Sequence, residues 1–390
     1  MVVTEVSSQS WFSRIGDSIK SFLFGIALFV ASFVVLWLNE GRAVRTEKGL
    51  HEGQGAVVEA PADRVDTSLN QKLVHVSARA TTDEQLTDPD FLIAANAIKL
   101  RRKVEMYQWK EKKESETKKK LGGGSETRTT YSYEKTWDDD KIDSSGFKEA
   151  GHDNPAAKPF ESRETLAGHV AFGAYTLSPS LVAKMDDYQP VPVSEQQLAK
   201  LPAEASAKLK VRDNAFYVGS DPASPQIGDA RVTFSVISPA EVSVVAKQAG
   251  TSFEPYRASS GLEIEMLKRG VVGAQAMFDV ALKQNTVFTW VLRVVGFILM
   301  FIGLALFFKP ISVLGDVVPF FGSMLAFGTG LFAFVIAAVL SVGTIAVAWI
   351  FYRPFLGIAL LAIAIAILVW FAVQAKKKLA AGAPQPVTVT

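Results

Sequence analysis

Cysteine is absent from the 390-residue sequence, and histidine occurs only four times. Without cysteine the chain forms no disulfide and offers no thiolate to act as a nucleophile or to bind a metal ion. The four histidines are scattered, and no two have the spacing of a zinc-binding pair on one helix. No nucleophile with a matching base stands out either, so the sequence favours a protein that is not an enzyme and needs no cofactor.

An excess of charge of one sign is also lacking. Lysine and arginine together number 41 and the acids number 39, so the formal net charge is +2. A balance this close to zero gives no reason to expect a nucleic-acid partner. The acids Asp138, Asp139, Asp140 and Asp143 lie close together, but their spacing differs from that of an EF-hand loop, and we expect no metal site there.

Hydrophobic residues, in contrast, are abundant and segregated. They crowd into residues 22–38 and 287–373, whereas residues 39–286 have the mixed composition and the alternation of a water-soluble domain rich in strands. The sequence therefore predicts an α+β membrane protein, with transmembrane helices near both ends and one large β-rich aqueous domain between them.

The apolar regions divide into four predicted transmembrane helices. We interpret the first as a retained anchor, because the residues that follow it offer a poor signal-peptide cleavage site. Three lysines directly after the last helix predict that its end faces the cytoplasm. The expected order is a cytoplasmic N-terminus (1–21), helix (22–38), extracytoplasmic domain (39–286), helix (287–308), cytoplasmic loop (309–319), two helices (320–351 and 355–373) and a cytoplasmic tail (374–390).

Charged residues stand at the predicted outward ends of these helices. Glu40 follows the first helix, Arg293 lies near the start of the second, and Arg353 separates the third from the fourth. A carboxylate at a low-dielectric boundary is costly unless it is paired, so we expect Glu40 to pair with Arg293 or Arg353 and to hold the helices together. The alternative is that each charge extends separately into the headgroups. Arg42 and Tyr352 complete this predicted interface cluster.

Small residues recur at four-residue spacing in the last two predicted helices. They are Gly322, Ala326 and Gly330 in the third helix, and Ala362 and Ala366 in the fourth. Such a stripe lets membrane helices approach closely, which is the role we expect, and a pore lining is the alternative. No acid, histidine or asparagine lies in the middle of these spans to carry an ion or a proton.

The aqueous domain is predicted to consist mainly of strands. Residues 72–80 alternate between apolar and polar side chains, and residues 102–110 are expected to pair with 127–137 in a hairpin. The charged, glycine-containing tip of that hairpin, 111–126, is predicted to be solvated, with contact to headgroups or to a partner as the alternative. Residues 274–283 form a predicted helix that continues into the second transmembrane span.

Several short segments, spaced along the chain in a fixed order, resemble segments of one known family. They are NEGRA (39–43), VEMYQW (104–109), ETRTTYSYEKTW (126–137), GHDNP (151–155), GDARVTFS (228–235), WVLRVVGF (290–297) and WIFYRP (349–354). On these segments the chain resembles the transmembrane protein 43 family, also called LUMA, from about residue 30 to residue 378. The domain residues that carry the resemblance are Glu105, Trp109, Trp137, Gly151, His152, Asn154 and Pro155.

The resemblance implies a four-span protein whose large domain lies in the lumen or the periplasm. Eukaryotic members of the family reside in the endoplasmic reticulum and inner nuclear membrane, self-associate, and are linked to emerin and lamins. The cysteine-free, alanine-rich composition is that of a bacterial member. We therefore expect the bacterial inner membrane, and we do not carry the nuclear-envelope partners over to this chain.

Together these features predict a membrane scaffold that self-associates and presents its extracytoplasmic domain to proteins or lipids. The expected partners are membrane lipids, further copies of the chain and other membrane proteins. A transporter or channel component is the first alternative, and it requires polar residues or broken helices in mid-membrane. A membrane-linked lipid-modifying enzyme is the second, and it requires a nucleophile and a base.

Overall fold

The computed structural model describes residues 2–317, 319–355 and 358–359. The chain divides into two compact units. Among the described residues, the sheet unit comprises 2–9, 48–120 and 125–282, and the helical unit comprises 10–47, 121–124 and those from 283 to 359.

Three long helices are apolar and long enough to cross a membrane. They contain the predicted spans 22–38, 287–308 and 320–351. The predicted fourth span, 355–373, lies almost wholly outside the described residues, as do its packing residues Ala362 and Ala366, so the structure supports three spans. The helices are α1 (Trp11–Ala56), α2 (Pro179–Ala183), α3 (Glu195–Leu198), α4 (Ala203–Ser206), α5 (Ala274–Gly315) and α6 (Pro319–Tyr352), with a 3-10 turn at Thr67–Leu69.

The sheet unit is built from many short strands and one long hairpin, as the alternating sequence predicts. Its strands are β1 (Val2–Gln9), β2 (Val58–Glu59), β3 (Leu73–Thr81), β4 (Gln85–Asp88), β5 (Ile93–Asn96), β6 (Lys99–Lys119), β7 (Ser125–Asp138), β8 (Arg163–Leu166), β9 (Ala171–Phe172), β10 (Tyr175–Thr176), β11 (Gln189–Val191), β12 (Leu209–Arg212), β13 (Ala215–Val218), β14 (Ala230–Ile237), β15 (Ala240–Ala249), β16 (Ser252–Glu254), β17 (Tyr256–Arg257), β18 (Glu263–Ile264) and β19 (Met266–Arg269).

Most of these strands belong to two sheets. The first has the order β1-β7-β6-β14-β13-β12, and β8 and β11 pair with β6 and β14. The second has the order β10-β9-β3-β15-β16, with β19 on β15 and β2 parallel to β3. One hydrophobic core takes buried side chains from both sheets, including Val104 and Phe234 from the first and Val76 and Val244 from the second. The two sheets therefore share a single apolar interior.

The hairpin of β6 and β7 has the predicted partners but a shorter turn than expected. Tyr107 pairs with Trp137, and the ladder continues as far as Lys119 opposite Ser125. The predicted tip, 111–126, is therefore wrong in extent, because most of its charged residues are ladder residues. This polar sequence forms strands because its side chains interact across the ladder. Lys112 forms an ion pair with Glu134, and the hydroxyls of Thr117 and Thr127 are hydrogen-bonded.

Two contacts disagree with the predicted separation of residues 1–21 from the domain. In the sheet unit, β1 forms an antiparallel ladder with β7, from Val2 opposite Ser132 to Gln9 opposite Ser125. In the helical unit, the loop Leu121–Gly124 lies beside Trp11, which leaves no room for a side chain at Gly123. The predicted order assigns these segments to opposite sides of the membrane, and the side on which each lies stays a prediction.

In the helical unit, α1 and α5 run antiparallel along much of their length. Leu36 lies against Gly296, and the ring of Phe22 is 4.7 Å from the ring of Phe307. Between these two contacts the backbones meet directly at Gly25 and Gly303. A Cβ atom built on Gly303 would stand 2.7 Å from the Phe29 backbone nitrogen, so glycine permits the close approach.

Helix α6 packs on α5 through small and aromatic residues. Ala333 and Ala337 are fully buried, and Ser341 Oγ donates to Met300 Sδ at 3.4 Å. The ring of Phe334 meets Phe297 edge to face at 5.4 Å. These contacts place a hydrophobic core among the three long helices.

Replacing Gly303 with alanine should destabilise the helical unit. The new methyl group would collide with backbone atoms of α1, which cannot rotate away, so we expect a loss of about 1–3 kcal/mol. Unfolding of the purified full chain in mixed micelles measures this loss. Gly16→Ala is the matched control, because a Cβ atom there meets no described atom within 4 Å. Equal stability of the two variants would contradict the packing described.

Candidate functional site

The centre of the helical unit's polar cluster is an ion pair between α1 and α5. Arg293 donates to both carboxylate oxygens of Glu40, from Nε at 2.7 Å and from Nη2 at 2.9 Å. The side chain of Glu40 is almost fully buried. Because the contact is bidentate, it satisfies most of the bonding capacity of the buried carboxylate.

Helix α6 joins the same carboxylate. The indole Nε1 of Trp349 donates to Glu40 Oε2 at 2.8 Å. The Arg293 guanidinium also lies over the rings of Trp290 and Trp349, at 4.7 and 5.5 Å from the ring centroids. One buried carboxylate therefore connects all three long helices.

Arg353 does not bind Glu40, although the sequence predicts either Arg293 or Arg353 as the partner of this carboxylate. Its Nη2 donates instead to Glu47, two turns further along α1. Tyr352 lies beside it, with its ring packed so closely over Gly41 that a Cβ atom there would be 2.7 Å away. The predicted residues thus form two adjacent ion pairs, and both connect α1 to another helix.

Arg42 is held by neutral acceptors instead of a carboxylate. Its guanidinium donates to Asn285 Oδ1 at 2.9 Å, to Thr289 Oγ1 at 3.0 Å and to Asn39 Oδ1 at 3.2 Å, and it lies over the ring of Phe288. The amide of Asn39 in turn donates to the Thr289 carbonyl at 3.0 Å. This network adds polar contacts between α1 and α5 that the sequence does not reveal.

A second buried ion pair lies toward the start of α1. Arg14 donates to Asp316 at 2.5 Å, and both side chains are largely buried. Arg14 also donates to the Gly123 carbonyl, and the Trp11 indole donates to the Val313 carbonyl at 3.0 Å. Sequence reasoning missed Asp316, although an acid shortly after a long apolar run is the signal of such a partner.

The two ion pairs are separated by enough helix to cross a membrane. Glu40 follows Arg14 by about 39 Å of helix at 1.5 Å per residue, and the hydrocarbon core is about 30 Å thick. The intervening side chains of α1 are predominantly apolar. The pairs therefore bracket the membrane-spanning part of α1.

Only part of the predicted small-residue stripe in α6 faces a neighbouring helix. A Cβ atom at Gly330 would meet no described atom within 4 Å, and Ala326 is half-buried. The buried small residues are instead Ala333, Ala337 and Ser341, which continue the same helix face further along α6. The side-chain surroundings of Gly322 lie outside the described part of the chain.

In the sheet unit, the motif residues gather along one edge of β6. Strand β14 pairs with β6 as far as Met106, and the Gly228 amide donates to the Tyr107 carbonyl. Beyond that point the side chain of Asn154 replaces the neighbouring strand as the hydrogen-bond partner of β6. It accepts from the Trp109 amide at 2.7 Å and donates to the Trp109 carbonyl at 2.9 Å. Asn154 thereby covers a strand edge that would otherwise be free.

Aromatic rings fix the loop that carries Asn154. His152 stacks on Tyr133 at 4.0 Å and meets Trp109 edge to face at 4.5 Å. Gly151 has a φ of +87°, a conformation that favours glycine. Pro155 is close to Gly228 on the neighbouring turn. These contacts give GHDNP a structural role at the edge of the sheet.

Glu105 and Trp137 belong to a neighbouring charged cluster. Arg231 donates to Glu105 at 2.6 Å and lies over the Trp137 ring, and Lys103 is 3.1 Å from the same carboxylate. Burial opposes ionisation of Glu105, but the hydrogen bonds from Arg231 and Lys103 outweigh it and lower the pKa of the carboxyl. The cluster is an internal ion network across β6 and β14.

Among the described residues, Asp138, Asp139 and Asp140 bring their carboxylate oxygens within 4.8 Å of one another. Two of the three are exposed, and Lys103 lies 3.7 Å from Asp139. A lysine this close neutralises part of the charge that a cation would require. The group is an exposed acidic cluster next to the Glu105 network.

The combination of apolar helices joined by buried ion pairs with a β-rich unit defines an integral membrane protein. The family model described as Transmembrane protein 43 matches residues 106–354. The chain is 34% identical to Transmembrane protein 43 of Homo sapiens, over 90% of this chain and 90% of the relative, and 34% identical to that of Rattus norvegicus, over 90% and 89%. It is 33% identical to the Transmembrane protein 43 homolog of Drosophila melanogaster, over 90% and 93%.

The chain therefore belongs to the transmembrane protein 43 family, as the sequence motifs predict. No solved structure matches it significantly.

Breaking the Glu40 pair should destabilise the protein strongly. In Glu40→Ala the Arg293 guanidinium loses its buried partner, which typically costs about 3–5 kcal/mol. The double variant Glu40→Leu with Arg293→Met removes both charges and should recover most of that loss. Unfolding of each full-length variant in mixed micelles gives the comparison.

Glu47→Ala is the matched control, because Glu47 and Arg353 are each about one-third exposed. We expect this control to cost less than about 1 kcal/mol. A Glu40→Ala variant as stable as the control would show that the buried pair does not hold the helices together.

Proposed function

We propose that the protein is a non-enzymatic membrane scaffold that self-associates and presents its sheet unit to proteins or lipids at the membrane surface. The observation that carries this proposal is the structural use of the charged groups in the long helices. Each carboxylate in the described parts of α1 and α5 has an internal partner: Asp17 with Lys20, Glu40 with Arg293, Glu47 with Arg353, Glu52 with Ser259 and Asp279 with Gln54.

This use of charge supports a scaffold over a transporter or channel. A transport site needs polar groups that bind and release an ion or solute near the middle of the membrane. The buried carboxylates Glu40 and Asp316 are instead bound to arginines at opposite ends of the apolar part of α1. Paired charges at the ends of a span hold helices in register without providing a route between them.

The family motifs support a scaffold over an enzyme in the same way. Asn154, His152 and Glu105 each bond or stack with other motif residues. Asn154 covers the edge of β6, and Glu105 joins β6 to β14. Contacts of this kind support a structural role for these residues, and a catalytic site would need a nucleophile placed beside a base.

The first part of α6, around Gly330, is the surface we propose for self-association. A Cβ atom at Gly330 would meet no described atom within 4 Å, and the large side chains of Phe327 and Leu331 beside it are exposed. Glycine on an exposed helix face permits close approach of a second membrane helix. The predicted stripe of Gly322, Ala326 and Gly330 would then pack against another copy of the chain.

We place the protein in a bacterial inner membrane, with the Glu40 end of α1 extracytoplasmic. The helix ends opposite the Glu40 end carry the basic residues Arg14, Lys20 and Lys309. Basic residues at the end of a span mark the cytoplasmic face. Strand β1 belongs to residues 1–21, and it pairs with β7, which belongs to residues 39–286. We therefore propose no single location for all of residues 39–286. The proposed orientation is therefore confined to the ends of α1 and α5.

Gly330→Leu should weaken self-association by about tenfold, the effect of about 1.4 kcal/mol. The leucine side chain would prevent close approach of a second helix, and its Cβ atom would meet no described atom of its own chain within 4 Å. Dissociation of the full-length protein, reconstituted at a series of protein-to-lipid ratios, measures this effect. Gly343→Leu is the matched control, since it adds the same side chain to open space further along the helix.

A wild-type chain that stays monomeric at every ratio would contradict self-association. An unchanged oligomer in Gly330→Leu would contradict the assignment of this face.

A further inference from the structure

An open apolar groove of about 710 Å³ lies between α1 and α6. Phe33, Trp37 and Leu38 line it on α1, and Gly343 and Val347 line it on α6. This volume is within the range of ordinary small-ligand pockets, about 300–1,000 Å³. The groove is open at Gly343, because a Cβ atom there would meet no described atom within 4 Å.

The groove has almost nothing to offer a polar ligand. The one lining hydroxyl, that of Thr344, already donates to the Leu340 carbonyl at 2.7 Å. The remaining walls are aliphatic or aromatic, so binding depends on dispersion and on exclusion from water. A hydrocarbon chain fits this lining, and a sugar, nucleotide or ion does not.

Aromatic rings mark one end of the groove. Trp37 lies 5.6 Å from the ring of Phe351 and 5.5 Å from the ring of Tyr352. Tryptophan and tyrosine prefer the level of the lipid headgroups. This end of the groove therefore lies where a lipid changes from acyl chain to headgroup.

A cation stands just beyond that end. Arg45 lies on the same face of α1 as Val34, Leu38 and Gly41. Successive members of this set are three or four residues apart, which is the spacing of one helix face. Its Nε donates to the Gly41 carbonyl at 3.3 Å, one turn nearer the groove along α1. Arg45 is exposed, and no carboxylate in the described ranges lies within ion-pair distance of it.

We propose that this groove binds one acyl chain of an anionic phospholipid and that Arg45 binds its phosphate. The apolar lining selects the chain, and the unpaired guanidinium selects a negatively charged headgroup. The site is independent of the proposed self-association, which uses the region around Gly330.

Native mass spectrometry of the full-length protein with added phosphatidylglycerol or phosphatidylcholine tests the proposal. We expect the wild-type chain to retain one phosphatidylglycerol. Gly343→Leu should weaken this binding by about tenfold or more, because leucine fills the groove. Gly330→Leu, with the same substitution on the same helix outside the groove, should bind as the wild type does.

Arg45→Gln tests the headgroup separately. It should lower the preference for phosphatidylglycerol over phosphatidylcholine by about fivefold, since a basic residue near the surface contributes about 1 kcal/mol. An unchanged preference would overturn the role of Arg45. Gly343→Leu binding that matches the wild type would overturn the groove as the site.

Two further outcomes would show that the groove does not hold a lipid. An interchain disulfide formed by Val347→Cys in this cysteine-free chain would show that a second copy occupies it. A wild-type chain that retains neither lipid would show that the groove is filled by protein or binds no lipid. Either result overturns the proposal, and neither changes the oligomerisation expected of Gly330→Leu.

Discussion

A charge buried at the edge of a membrane must have a partner, and this requirement organises the helical unit. Glu40 meets it with a bidentate arginine and an indole, so that one carboxylate connects α1, α5 and α6. Arg14 and Asp316 meet it near the other end of α1. Between the two pairs the helices need only apolar packing, and Gly25 and Gly303 bring two backbones into contact there. Ion pairs set the register of the helices, and small residues set their spacing.

The sheet unit depends on a different constraint, that of a long strand with a free edge. Strand β6 continues past the end of β14, and an unpaired edge invites association with other strands. Asn154 bonds to this edge at Trp109, and His152 stacks against the hairpin to hold the loop in place. The segments that are separate in sequence, from VEMYQW to GDARVTFS, meet at this edge.

Much of this architecture follows from the sequence, because it rests on local patterns. Apolar runs predicted three helices that the structure contains, and alternation predicted β3 and the pairing of β6 with β7. The cost of an unpaired carboxylate pointed to Glu40 and Arg293, but the choice between Arg293 and Arg353 depends on helix rotation, which spacing does not fix. The strand β1 and the partner Asp316 were missed because their contacts are more than 100 residues distant in sequence. The length of the charged hairpin was missed because its charges pair only across strands.

Helix α1 is expected to cross the membrane between its two ion pairs. Because the chain has no cysteine, Ser13→Cys and Lys48→Cys each introduce a single thiol, one near each end of the helix. Labelling with a membrane-impermeant maleimide, before and after permeabilisation of sealed vesicles, reports the side on which each thiol lies. If α1 crosses the membrane, one position is labelled at once and the other only after permeabilisation, with Lys48→Cys on the extracytoplasmic side. Labelling of both positions from the same side would contradict it.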